Sequence, residues 1–166
     1  MLAVIATLDQ GGYMPQDYIL RLIEQAAAMI GAVIAKRRKG EIQEARQDLQ
    51  TLCLQNVGLP LETVKGLSPD AVAEHLTTAG GHRFVRAVML AELLIQDAET
   101  LETQGDAQRA LPSYVHAFCL LFDAYPVLSE EERAIYRVKL EALGGKVAEL
   151  PPNPYTTERL EALQDL

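Results

Sequence analysis

Two heptapeptides 65 residues apart constrain this chain most: Lys39-Gly40-Glu41-Ile42-Gln43-Glu44-Ala45 and Gln104-Gly105-Asp106-Ala107-Gln108-Arg109-Ala110. Each places a glycine between runs whose apolar residues recur at three- and four-residue steps. Each therefore reads as a tight turn between two amphipathic helices. A connection of one or two residues forces the joined helices to lie antiparallel and adjacent. The likeness extends beyond the turns, since Cys53 aligns with Cys119 and Pro60 with Pro126 if the second unit carries one extra residue. The expected fold is all-α, built of antiparallel helix pairs stacked into a compact bundle.

The remaining elements follow from periodicity and punctuation. Pro15 suits a first turn, and Tyr18, Ile19, Leu22, Ile23, Ala26, Ile30, Val33 and Ile34 trace a long helix ending near Lys39. Lys36-Arg37-Arg38-Lys39 then complements the negative end of its dipole, and Gly40 stops it. A second helix is expected from Glu41 to about Gln55, broken by Gly58 and Pro60. Short pieces fill the stretch from Pro60 to Gly81, one starting at Pro69 behind the capping residue Ser68. Helices are expected from His82 to Gln104 and from Asp106 to about Tyr125, the latter with Pro112 inside it. Ser129 and Glu132 form a capping-box pattern opening a helix that should stop near Leu143, before Gly144-Gly145. Pro151-Pro152-Asn153-Pro154 reads as a stiff linker to a short helix from Thr157 to Gln164.

Composition agrees with packed helices. Of 166 residues, 49% are hydrophobic but only 5% aromatic, with no Trp, a mixture poor in sheet formers. The net charge of −8 argues against general nucleic-acid binding, which needs a concentrated positive field. Up to Gly66 there are seven basic and seven acidic residues; from Leu67 there are eight against sixteen, so the second part should have an acidic surface. Cys53 and Cys119 lie in apolar helical runs, where a thiol packs as a small hydrophobe. No apolar run reaches the roughly 18 residues that span a bilayer, and the opening segment lacks the pattern of a signal sequence. A cytoplasmic protein is expected. Gly11-Gly12-Tyr13 ahead of Met14 suits a translated ribosome-binding site, which would make 1–13 a non-core leader, 14–150 the domain, and 151–166 a Pro-rich linker with a short helix.

The second unit resembles a tetratricopeptide repeat, through Leu94, Ala98 and Leu101, Gly105 at the turn, then Ala110, Tyr114 and Ala117. The small residues allow close helix approach and the larger ones fill the grooves. Asp97 stands where that family usually has Leu, so its turn is expected to tilt outward or pack less tightly. The first unit matches more weakly, through Gly40, Ala45 and Leu49. The run Asp17-Tyr18-Ile19-Leu20-Arg21-Leu22-Ile23-Glu24-Gln25 also resembles the start of a family of small bacterial helical proteins, a likeness that implies no activity. Tetratricopeptide geometry implies a concave groove lined by the first helix of each pair. It would hold Ile30, Ile34, Arg37 and Arg38 in the first unit, and Glu92, Ile95, Glu99 and Glu102 in the second.

The sequence carries no familiar catalytic signature. His75, His82 and His116 show no metal-ligand spacing, and neither cysteine has a Cys-x-x-Cys partner. Gly80-Gly81 and Gly144-Gly145 read as helix stops, not phosphate loops. No nucleophile sits in a known motif, and no cofactor or metal is expected. The expectation is a non-enzymatic module binding a peptide, a protein segment or itself in the groove, between basic and acidic ends. A homo-oligomeric structural protein is the alternative, through the Asp17 to Lys39 helix or the C-terminal helix. A small-molecule-binding or enzymatic bundle follows behind, recognisable by a deep polar pocket with two acids and a histidine.

Overall fold

In a computed structural model, which describes residues 16–78 and 83–166, the chain is an all-helical bundle. The leader at 1–13, Met14 and Pro15, and the residues at 79–82 that carry Gly80, Gly81 and His82, lie outside the described residues. The elements are α1 (Gln16–Arg38), α2 (Ile42–Val57), α3 (Leu61–Gly66), α4 (Pro69–Thr78), α5 (Arg83–Thr103), α6 (Ala107–Ala124), a 3-10 turn (Tyr125–Val127), α7 (Glu130–Ala148) and α8 (Thr157–Leu163).

The two glycine turns are built alike. Gly40 and Gly105 have φ of +83° and +80°, the left-handed region that other residues enter only with strain. Glu41 N donates to the Lys36 carbonyl and Gly40 N to that of Arg37; Asp106 N and Gly105 N repeat the pattern on Leu101 and Glu102. This paired arrangement satisfies the end of one helix while the next begins at once. Pairs α1/α2 and α5/α6 result, and Ala45 and Ala110, both just past a turn, are fully buried.

Helix α5 is the centre. It packs against α1, α2, α4 and α6, while α6 also meets α3, α4, α7 and α8. Being covered on several sides, α5 buries Val85, Val88, Leu90, Leu94, Ala98 and Leu101, and with them the polar Glu92, Gln96, Asp97 and Thr100. Ala98, Ala110 and Ala117 are fully buried, the small residues that let α5 and α6 lie close. Cys53 and Cys119 are buried free thiols; burial pushes Cys53 up to about 12 and Cys119 up to about 11.

Two expectations about these elements need correction. Asp97 does not tilt outward: it is 3% exposed, paired with Lys65 Nζ at 2.9 Å and accepting from Ser113 Oγ at 2.7 Å. The Gly144-Gly145 pair does not end its helix, because α7 runs on to Ala148. A Cβ on Gly144 would lie 2.6 Å from Leu163 Cδ2 and 3.6 Å from Phe118 Cε2, so this glycine makes room for α8. Beyond the Pro-rich linker, α8 returns to the bundle on α6 and α7, held by the Arg159 guanidinium on both Asp123 carboxylate oxygens at 2.9 and 2.8 Å. The capping box at the start of α7 is complete, with Ser129 Oγ accepting from Glu132 N at 3.2 Å and Glu132 Oε2 from Ser129 N at 2.7 Å.

Candidate functional site

The sequence of α5 puts Glu92, Ile95, Glu99 and Glu102 along one edge at three- and four-residue steps. Across from it, α7 presents Lys139, Ala142, Leu143 and Lys146 at similar steps. Lys139 pairs with Glu92 and Lys146 with Glu102, the latter at 3.4 Å, so the numbering rises together along both helices and α5 and α7 run parallel. Both are antiparallel to α6, whose Tyr114 closes the bottom. The resulting groove has a volume of about 180 Å³ and is lined by Glu92, Ile95, Gln96, Glu99, Tyr114, Lys139, Ala142, Leu143 and Lys146.

The groove has an apolar floor and charged rims of opposite sign. Ile95, Leu143 and Ala142 supply the apolar part. Glu92 is 6% exposed, so its carboxylate depends on Lys139, whose ammonium also stands 5.4 Å from the centre of the Tyr136 ring. Lys146 stands 4.6 Å above the Tyr114 ring. The Tyr114 hydroxyl is enclosed and lacks a hydrogen-bond partner among the described residues. Burial first, then Glu102 beside it, pushes the phenol well above its ordinary value, so it stays protonated.

The expected groove residues divide. Glu92, Ile95 and Glu99 line the groove, and Glu102 stands at its rim with Lys146. Arg37 reaches the same neighbourhood, donating to Gln96 Oε1 at 2.7 Å and Glu99 Oε2 at 2.9 Å. It ties the end of α1 to α5, so it is engaged within the chain. Ile30 is buried against Leu52, Met89 and Leu93, Ile34 packs on the core, and Arg38 is exposed; none of the three lines the groove. The basic and acidic groups thus face each other across the groove instead of occupying its two ends.

Sequence reasoning missed Lys139, Lys146, Leu143 and Tyr114 as groove residues. The signal on α7 was the 139, 142/143, 146 spacing, which is visible only if the helix continues through Gly144. A wider depression of about 470 Å³ includes Asp70, Asp123, Glu158 and Arg159, but its Asp123 and Arg159 already satisfy each other. Neither opening contains a histidine; His116 is buried elsewhere. Among the described residues, no group of three or more His, Cys, Asp or Glu is arranged to hold a metal ion, and no helix is long and apolar enough to cross a membrane. Compared with protein-family models, curated proteins and solved structures, the chain gives no match.

Proposed function

We propose that this chain acts by contact, as a tetratricopeptide-like module that holds a short protein segment in the groove between α5 and α7. The supporting observation is the groove's construction: an apolar floor between a carboxylate rim and an ammonium rim, bridged only by long side chains. Lys146 is about half-exposed and can swing aside without disturbing the core, whereas Lys139 stays on the buried Glu92 carboxylate. From Lys139 to Lys146 the groove runs about 10 Å, and from Glu92 to Glu102 about 15 Å, at the helical rise of ~1.5 Å per residue. That length suits two or three turns of an amphipathic helix, or about four extended residues. An occupant with one apolar side chain for the floor and charges of both signs on its flanks would exchange the exposed Lys146–Glu102 pair for new ones. Buried, unpaired cysteines fit a reducing cytoplasm, and the charge of −8 fits a protein partner better than a nucleic acid.

A photo-crosslinking amino acid at Ala142, an exposed groove position, tests the site. The expected result is a discrete crosslinked protein in cells, lost in the Lys146→Glu background and absent when the crosslinker sits at exposed Gln50. The same products from Ala142 and Gln50, or products unaffected by Lys146→Glu, would sink the proposal.

A further inference from the structure

Among the described residues, one face of helix α1 from Arg21 to Arg38 has no partner. Its inner face, with Ala26, Ile30 and Val33, is buried on α2 and α5. On the opposite face Glu24, Ala27, Ala28, Gly31, Ala35 and Arg38 are all exposed, standing three, four or seven residues to either side of Gly31. Residues at those spacings share one helix face with Gly31 at its centre. Lys36 and Arg37 are engaged by Asp48 and Glu99, but Arg38, Glu24 and Arg21 form no ion pair among the described residues.

We propose that this face is a homodimer interface in which α1 of two copies pair antiparallel about a two-fold axis at Gly31. Charge complementarity selects this occupant. In an antiparallel pair centred on residue 31, positions whose numbers sum to 62 oppose one another. Glu24 of one copy then meets Arg38 of the other, Ala27 meets Ala35, and Gly31 meets Gly31. The two-fold repeats the charged pair, placing one attractive contact at each end of the seam. The parallel arrangement would set Arg21, Glu24 and Arg38 each against its own copy, so like charges exclude it.

Gly31 supplies an independent argument. A glycine inside a helix is destabilising relative to alanine, and a Cβ at Gly31 would meet nothing within 4 Å, so the single chain has no steric use for it. At the crossing point of two helices the same glycine lets the backbones approach closely. The paired face from Glu24 to Arg38 spans about 21 Å of helix, less surface than a standard stable interface, so the dimer is expected to exchange in the micromolar range. This surface lies apart from the groove between α5 and α7, and the Lys146 reversal leaves it unchanged.

The test is sedimentation equilibrium of the full chain across the micromolar range, with circular dichroism confirming that every variant keeps its helix content. Wild type should dimerise. Glu24→Arg alone and Arg38→Glu alone should each raise the dissociation constant roughly tenfold or more, because symmetry doubles each like-charge contact. Mixed one to one, those two variants should associate again, since opposite charges then face each other at both ends of the seam. Gly31→Leu should leave the fold intact and abolish the dimer. A wild type that stays monomeric to several hundred micromolar overturns the proposal, as do single reversals that leave its dimer unaffected. Failure of the mixture to associate overturns the antiparallel register.

Discussion

Asp97 is held by two elements that the sequence keeps far apart, the short α3 through Lys65 and α6 through Ser113. With side-chain exposures of 8% and 4%, Lys65 and Asp97 form a buried pair, and removing one partner leaves the other uncompensated. Asp97→Asn should therefore lower the unfolding free energy by about 3 kcal/mol, while Lys65→Met with Asp97→Leu should cost clearly less; urea denaturation distinguishes the two. Asp97 was legible as a departure from the repeat pattern. Its direction was not, because Lys65 comes from an irregular stretch with no periodicity to place it. His116, one turn beyond Ser113, is buried with an Nδ1 that has no hydrogen-bond partner among the described residues. Burial lowers its pKa below the ordinary 6.5, with the backbone at Lys65 and Leu67 raising it less. The folded protein thus holds it neutral, whereas the unfolded chain takes up a proton near 6.5. Its stabilising contribution is complete above that pH and is lost as pH falls, by up to about 1.4 kcal/mol per unit, until the folded value is reached. The difference in unfolding free energy between about pH 7 and pH 5 should shrink in His116→Gln; an unchanged difference would assign the acid loss to other groups.

Helix α7 separates two uses of glycine that look identical in sequence. Gly144 faces α8 and Gly145 faces nothing within 4 Å. Gly145→Ala should raise stability by about 0.5–1 kcal/mol through helix propensity alone, seen as an upward shift in melting temperature. Gly144→Leu should expel Leu163 and release α8, measurable as faster amide exchange in residues 157–163 with the rest protected. Helix starts were readable because their signals are local: Ser68 caps Ala71 N at 3.1 Å, and Ser129 forms its box. Stops at paired glycines were less readable, since a helix continues through glycine whenever packing outweighs propensity. The groove inherited that error. Its α5 rim could be read from spacing, but Lys146 lay beyond the expected end of α7, and Arg37 was given to the groove with no means of seeing its bonds to Gln96 and Glu99.

Across the molecule, α5 and α6 make the most extensive helix contact, while α1 and α2 join the bundle chiefly through each other and α5. The repeat at Gly40 and Gly105 made this pairing legible, because so short a hinge leaves little choice of neighbour. The central burial of α5 was not, since a helix surrounded on several sides still shows a helical period. Unequal packing of the two pairs predicts unequal opening, and the chain carries its own reporters. Cys53 lies in α2 and Cys119 in α6, both enclosed, with thiols pushed up to about 12 and about 11. Neither should react with a thiol reagent in the native state on the time scale of free cysteine, because the thiolate is scarce and access is blocked. Cys119 is also shielded by α8, whose preceding turn places the Tyr155 carbonyl 3.6 Å from its Sγ. If the α1/α2 pair opens without the rest, Cys53 should label at denaturant concentrations below the global transition while Cys119 stays protected. Mass-resolved labelling through a urea series follows the two sites separately. Equal labelling rates at every concentration would show instead that the bundle opens as one cooperative unit.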